Sequence, residues 1–286
     1  MIAEVHPGVY FIEGRNRGRF PYSNSLLIKG KAIVDLGCGL QLLRKLASEV
    51  SVAVLSHTHP DHCSGAWLFN KLGIRVLSPA GYPTTLEALA RRFVGEELAS
   101  TWIQYVQQAI GLRSFRSEPY WSGEPILEKP EVTPIHAPGH TADMHVILVD
   151  GKVLYSSDID LTPFGPWYGH EESCIKQLAK SIEKVMSLDA EVLVPGHSQP
   201  VYGREQIEEE LQRYMEVLEE RTAMILSLLS KPRTLRELVD MSPIYRVKPY
   251  AKPLLDYWEA NMIRKHLALL EERGLVKLVN GVYCRM

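Results

Sequence analysis

Short apolar runs rich in β-branched residues alternate along the chain with longer segments in which apolar residues recur at helical spacing. The short runs predict strands at residues 9–12, 25–28, 32–35, 51–55, 73–77, 132–135, 144–149, 152–155 and 191–194. The longer segments predict helices at residues 40–50 and 174–188. Two more are predicted between residues 84 and 111, where a capping box begins the first and Gly111 ends the second. Strands interleaved with helices in this way predict an α/β fold.

The end of the chain has a different pattern. A long helix is predicted to run from Arg204 toward Ser230, followed by a short helix at residues 234–239 and a longer one that stops at Gly274. Asn280 and Gly281 then lie between two apolar runs, which is the strongest short signal for a hairpin. Helices followed by a hairpin are typical of a winged helix. We therefore predict a first domain at residues 1–204 and a linker helix with a winged-helix-like domain at residues 205–286.

Composition narrows the function classes. The net charge is −2 and the pI about 6.6, so there is no global electrostatic case for nucleic-acid binding, although residues 231–286 carry eleven Lys and Arg against six Asp and Glu. No stretch approaches the roughly 18 apolar residues of a membrane span. The first residues lack the basic and apolar regions of a signal peptide. The four scattered cysteines form no CxxC pair, so we expect reduced thiols in a cytoplasmic protein.

Potential metal-binding side chains are most concentrated in the run HTHPDH at residues 57–62, which directly follows the apolar strand at residues 51–55. Strand ends are where α/β folds place their functional groups. Neutral imidazole and carboxylate suit Zn, Fe or Mn, and one such ion needs three or four protein ligands. Burying these groups without a metal would leave them unpaired. The run therefore predicts part of a metal site.

Further histidines and acids follow other predicted strands. Asp35 and Asp158 end strands, and Asp158 is favoured over Asp160 because it falls directly at the strand end. His136 and His145 are interpreted as structural. Five histidines and two acids then supply two three-residue ligand sets with one bridging carboxylate, as in two-metal sites. The predicted ligands are His57, His59, Asp61, His62, His140, Asp158 and His197.

In this order, the strand-end residues resemble the five motifs of the metallo-β-lactamase-fold hydrolases. The resemblance implies an αββα sandwich and two divalent metal ions, most readily Zn, with Fe or Mn as alternatives. It implies that the first ion is bound by His57, His59 and His140, and the second by Asp61, His62 and His197. Asp158 would bridge both ions, and Asp35 would orient a ligand histidine. A metal-bridging hydroxide would be the nucleophile, with Asp61 as the catalytic residue that orients it.

Differences between this sequence and some branches of the family exclude those branches. True β-lactamases of this fold lack the bridging acid, so Asp158 argues against antibiotic hydrolysis. Only 38 residues separate Asp158 from His197, which leaves no room for the domain inserted in the β-CASP nucleases. With its tail, the chain resembles the β-lactamase-like branch with a C-terminal winged helix, which includes endoribonucleases acting on single strands.

Three functions stay open at this point. The first is phosphodiester cleavage in single-stranded RNA, and the second is hydrolysis of a small ester or thioester of the glyoxalase II kind. The third is a non-enzymatic winged-helix nucleic-acid-binding regulator, against which the complete ligand set argues. We expect no membrane partner and leave a homodimer open.

Two other loops are candidates for contact with substrate. The basic loop (residues 14–19, GRNRGR) matches no phosphate-binding motif and is interpreted as an exposed loop or as a contact for an anionic substrate. The aromatic loop (residues 164–170, FGPWYGH) is a candidate substrate wall, in which Tyr168 or His170 is a hypothetical proton donor to the leaving group.

Overall fold

The computed structural model describes all 286 residues and contains two packed β-sheets with helices on both outer faces. The first sheet has seven strands in chain order: β1 (Ile2–His6), β2 (Val9–Ile12), β3 (Ser25–Ile28), β4 (Ala32–Val34), β5 (Val52–Val54), β6 (Arg75–Pro79) and β7 (Glu118–Tyr120). The second sheet has six strands, also adjacent in chain order: β8 (Leu127–Glu128), β9 (Glu131–His136), β10 (His145–Val149), β11 (Val153–Ser157), β12 (Val192–Pro195) and β13 (Val201–Tyr202).

Eight α-helices complete the fold. They are α1 (Leu40–Leu46), α2 (Pro60–Cys63), α3 (Ala66–Lys71), α4 (Leu86–Ile110), α5 (Ile175–Ser187), α6 (Arg204–Leu228), α7 (Leu235–Met241) and α8 (Lys252–Glu272). A two-stranded hairpin of β14 (Val276–Val279) and β15 (Val282–Arg285) ends the chain. No helix combines the length and the apolar character that crossing a bilayer requires.

Strand periodicity divides the core into layers. In β5, Val52 and Val54 contact the opposite sheet, whereas Ala53 between them packs under the helices of its own side. Successive strand side chains point to opposite faces, so a strand with both faces covered is apolar throughout. The predicted αββα arrangement of two sheets between helices is therefore present, with one core between the sheets and one on each outer face.

The C-terminal unit (residues 205–286) does not form a separate core. Helices α6, α7 and α8 share one apolar cluster with α5 and the outer face of the second sheet. The order of helices and hairpin is the expected one, and Thr234 caps α7 in a capping box with Glu237. The division at residue 204 and the winged-helix assignment remain predictions.

Several local predictions need correction. The capping box expected at residues 84–87 is absent, because Thr85 is the cap residue and makes no side-chain cap bond, while the Leu86 N–H donates to Ser114 Oγ instead. The two helices predicted between residues 84 and 111 are both present, because Gly95 has non-helical backbone angles (φ 71°, ψ 178°) and a kink there divides α4 into two helical halves. Strands β1, β7, β8 and β13 were not predicted. The last three have only two or three residues each, too few to show a period.

Candidate metal centre

The strand ends of both sheets bring the seven predicted ligands together. The run at residues 57–62 follows β5, with Pro60 in the first turn of α2 and every side chain of the run buried. Asp158 follows β11 and His197 follows β12, a parallel pair whose ends meet at one edge of the second sheet. His140 lies in the connection between β9 and β10. Two facing sheets therefore supply one buried cluster.

Three histidines form the first group around one carboxylate oxygen of Asp158. From Asp158 Oδ2, the distances are 2.7 Å to His140 Nε2, 3.3 Å to His57 Nε2 and 3.6 Å to His59 Nδ1. The ligand atoms of this group all lie within 4.8 Å of one another, which is close enough to hold one ion.

The second group consists of Asp61, His62 and His197, and it faces the other oxygen of Asp158. From Asp158 Oδ1, the distances are 2.9 Å to His62 Nε2 and 3.2 Å to His197 Nε2. His197 Nε2 is also 3.3 Å from Asp61 Oδ2. Each oxygen of Asp158 thus faces one group, which is the geometry of a bridging carboxylate. Asp160, the rival in sequence, instead accepts hydrogen bonds from Thr162 and Tyr214.

The cluster fits metal ions by its unpaired atoms. His57 Nε2, Asp61 Oδ1 and Asp158 Oδ1 are buried and make no hydrogen bond within the protein. Leaving such atoms without a partner is costly, and divalent cations held by the two groups would supply partners for these buried atoms. Imidazole nitrogens and carboxylate oxygens are suitable ligands for Zn, Fe or Mn. The donor set therefore fits two divalent ions.

Outer contacts fix which nitrogen faces the centre in three of the histidines. His197 Nδ1 donates to the Gly18 carbonyl at 2.6 Å, and His140 Nδ1 donates to the Trp167 carbonyl at 3.0 Å. His62 Nδ1 lies 2.6 Å from Asp35 Oδ2, which also accepts from Ser56 and Tyr155. Because each Nδ1 is the donor, each Nε2 is left with its lone pair toward the centre. Asp35 occupies the orienting position that was predicted for it.

His59 has the opposite orientation, and His170 explains it. His170 Nδ1 donates to the Phe93 carbonyl at 3.0 Å, so its Nε2 is an acceptor. That Nε2 lies 2.8 Å from His59 Nε2, which must donate, and His59 Nδ1 is left for the centre. No sequence spacing connects these two histidines. The hypothesis that His170 or Tyr168 protonates a leaving group is wrong, because both are fully buried and neither lines the cavity described below.

Arg92 is a second positioning residue that the sequence did not reveal. From α4, its guanidinium donates to Asp143 Oδ1 at 2.7 Å, to Glu172 Oε1 at 2.6 Å and to Thr58 Oγ1 at 2.7 Å. Thr58 lies between two predicted ligands, and Asp143 and Glu172 lie in the loops that carry His140 and His170. One largely buried cation therefore joins the three segments that shape the first group.

Electrostatics place Asp61, Asp158 and His57 in the ionisation state of ligands. Burial alone would raise the pKa of Asp61, but His62, His59 and His197 hold that pKa below the usual carboxyl range. Burial likewise opposes ionisation of Asp158, yet His62 and His140 keep its pKa low. Burial lowers the pKa of His57 to about 4, so its imidazole is neutral. Ionised carboxylates and neutral imidazole are the forms that bind divalent cations. Although burial opposes it, the neighbouring carboxylates raise the pKa of His62 to about 10 and that of His197 well above its ordinary value, so these two imidazoles would release a proton on binding a cation.

One cavity of about 710 Å³ opens onto this centre. Five of the seven predicted ligands form its floor, whereas His57 and His62 lie behind them. Phe164 and Trp167 of the aromatic loop line the cavity, as expected for a substrate wall. The other aromatic side chains of the walls are Phe20, which follows the basic loop, and five from α4 and the C-terminal unit: Trp102, Tyr105, Tyr245, Tyr250 and Trp258.

Comparison with known proteins identifies the family. A family model described as the metallo-beta-lactamase superfamily matches residues 18–197, which is more than half of the chain. The protein therefore belongs to the metallo-β-lactamase superfamily. Among curated proteins, the sequence search found no match. The family and the His/Asp cluster together define a metal-dependent hydrolase that uses divalent ions.

Solved structures share the fold. A metallo-β-lactamase family protein from Thermus thermophilus has a TM-score of 0.76 at 21% identity, over 99% of this chain and 100% of that one. A β-lactamase domain protein from Burkholderia ambifaria has a TM-score of 0.73 at 17% identity, over 100% and 93%. A motif variant of a metallo-β-lactamase from Cronobacter sakazakii reaches 0.56 at 14% identity, over 78% and 97%. The first two share the architecture through the C-terminal unit.

Proposed function

We propose that the protein hydrolyses small esters or thioesters that have a largely apolar body. The observation that carries this proposal is the cavity of about 710 Å³, whose floor is the metal centre and whose walls are aromatic. Pockets of this size and lining suit compact organic ligands, which bury most of their surface inside them. In the proposal, His57, His59 and His140 hold one ion, Asp61, His62 and His197 hold the other, and Asp158 bridges them.

The chain's own residues would position the reaction. When bound, the ions would activate water and polarise the scissile carbonyl. Asp61 lines the cavity, and the carboxylate oxygen that it would not use for an ion can accept a hydrogen bond from the attacking water and so orient it. Trp167 and Trp258 exclude bulk water from one side, which strengthens electrostatic interactions inside.

The position of α8 favours this proposal over nucleic-acid cleavage. In helix-turn-helix proteins the second helix enters the groove of the nucleic acid. Here the corresponding helix, α8, has ten buried residues and contributes Leu255 and Trp258 to the cavity wall. Asn261 and Lys265 of α8 also donate to backbone carbonyls of the aromatic loop. In this proposal the C-terminal unit is a wall of the active site.

A substrate panel tests the proposal. Protein loaded with Zn or Mn would be assayed on 4-nitrophenyl esters, acyl thioesters and a labelled mixed-sequence single-stranded RNA. We expect ester or thioester turnover that Asp61→Ala lowers at least about 100-fold, since an orienting carboxylate is lost. Asp150→Asn, at an exposed hairpin turn, is the matched control and should match wild type. Cleavage of RNA without turnover of esters or thioesters would show the proposal to be wrong.

A further inference from the structure

Two arginines of the basic loop face the cavity without any partner in the protein. Arg17 and Arg19 both line the cavity and are exposed. Arg15, in the same loop, does not line it and donates to Tyr22 Oη at 3.3 Å. By contrast, neither Arg17 nor Arg19 forms a side-chain hydrogen bond or an ion pair. Their guanidinium donors are available to a ligand.

No other Lys or Arg lines the cavity. The acids that do are Asp61 and Asp158, which belong to the metal centre, and Asp160, which is engaged by Thr162 and Tyr214. The two positive charges of the basic loop are therefore not neutralised by neighbouring side chains. Guanidinium groups bind carboxylate and phosphate oxygens through paired N–H donors.

The basic loop is held in an unusual conformation beside a predicted ligand. Asn16 and Arg17 have φ values of 56° and 59°, the left-handed region that non-glycine residues adopt at a cost. The Gly14 N–H donates to Asn24 Oδ1 at 3.1 Å, and the Gly18 carbonyl accepts from His197 Nδ1 at 2.6 Å. Such backbone conformations persist where surrounding contacts determine them. The arginines are thus placed on either side of the residue that contacts His197.

An apolar wall continues from the same loop. Phe20 stacks on Tyr105 of α4 with ring centroids 6.5 Å apart, and Tyr105 stacks on Tyr250 of the C-terminal unit at 6.0 Å. All three rings line the cavity. A ligand that contacts the two arginines would therefore extend its body along aromatic faces.

We infer that Arg17 and Arg19 form an anion subsite, so that the substrate is an ester or thioester that carries a carboxylate or phosphate group. The anion binds the guanidinium groups, the apolar part lies along Phe20, Tyr105 and Tyr250, and the scissile bond lies over the metal centre. This inference rests on the proposed function for its catalytic consequence, but the binding of an anion does not require turnover.

Binding is tested without turnover. Phenylphosphonate, benzoate and neutral benzyl alcohol are titrated into metal-loaded protein while tryptophan fluorescence is followed, to which Trp102, Trp167 and Trp258 of the cavity contribute. We expect at least one anionic probe to bind about tenfold or more tightly than benzyl alcohol, and Arg17→Gln with Arg19→Gln to abolish that preference. Arg15→Gln, from the same loop, should retain it. Comparison of the two anions distinguishes a phosphate from a carboxylate.

Kinetics separate this inference from the proposed function. Thioesters with the same acyl group and a neutral, carboxylate-bearing or phosphate-bearing leaving group are compared. In the double variant we expect KM for an anionic thioester to rise about tenfold or more with kcat within twofold, and no change for the neutral one. If no thioester or ester is hydrolysed, the proposed function fails while the binding result stands. If the double variant retains the preference for anionic probes, the metal ions bind the anion and the subsite is refuted.

Discussion

Replacing Asp35 with asparagine would alter the support of one ligand histidine while leaving every ligand in place. Asp35 is fully buried, and its Oδ1 accepts from the Ser56 N–H at 2.7 Å. Its Oδ2 accepts from Ser56 Oγ at 2.7 Å and Tyr155 Oη at 2.9 Å, and lies 2.6 Å from His62 Nδ1. The side chain is thus a pure acceptor surrounded by donors.

An amide of the same shape cannot accept on both sides. If the asparagine NH₂ faces His62, either two donors meet or His62 moves its proton to Nε2 and loses the lone pair that faces the centre. If the amide is reversed, NH₂ meets the buried Ser56 N–H. Either arrangement loses one charge-assisted hydrogen bond, worth about 1.5–3 kcal/mol, which corresponds to a metal affinity about 10–100-fold lower.

The assay is competition for Zn against a chromophoric chelator, with the two sites fitted separately. We expect weaker binding at the site that contains His62 and a smaller effect at the other. Asp150→Asn makes the same chemical change at an exposed turn and should bind Zn like wild type. Circular dichroism confirms that each variant is folded. A folded Asp35→Asn variant with Zn affinities within twofold of wild type would refute the reasoning.

Two further predictions concern buried contacts outside the ligand set. His170→Phe removes the acceptor for His59 Nε2, so we expect about tenfold weaker Zn binding at the first group, with His170→Gln restoring part of it, measured by the same competition. Arg221→Met removes donors to the Phe164 and Pro166 carbonyls and to Tyr168 Oη, so we expect a loss of about 2–4 kcal/mol in urea unfolding. Arg213→Met, on the exposed face of the same helix, should lower the free energy of unfolding by at most about 0.5 kcal/mol. Equal losses of unfolding free energy in the two variants would contradict the argument that burial makes the Arg221 contacts stabilising.

Much of the site was predictable because its chemistry is local. The run at residues 57–62 must lie in one turn after a strand, whatever the rest of the chain does. His57 and His59 therefore have to lie close together, and Pro60 has to stiffen the turn between His59 and Asp61. The strand-end positions of Asp35, Asp158 and His197 were equally readable, because apolar runs define where strands stop. Parallel neighbours in a sheet then bring those ends to one edge.

Other features of the site and the fold could not be predicted, because they are formed by residues that are distant in sequence. The contact between His59 and His170 joins positions 111 residues apart, and Arg92 joins three separate segments. The capping box expected at residues 84–87 gave way to Ser114, a partner from beyond the far end of the helix. Strands of two or three residues have no readable period and form through their neighbours. Such features depend on packing rather than on propensity.

The sequence by itself therefore determined which residues meet in the His/Asp cluster, and it determined the layered fold, because residue type, local spacing and strand period act over a few neighbouring residues. Only the tertiary structure decided how the ligands are oriented and what covers them. Trp258 and Tyr250 are more than 180 residues from His62, yet the packing of α8 brings both to the wall above the metal centre. Long-range contacts of this kind cannot be predicted from a single amino-acid sequence, because they form only when the chain folds and its apolar faces are buried against one another.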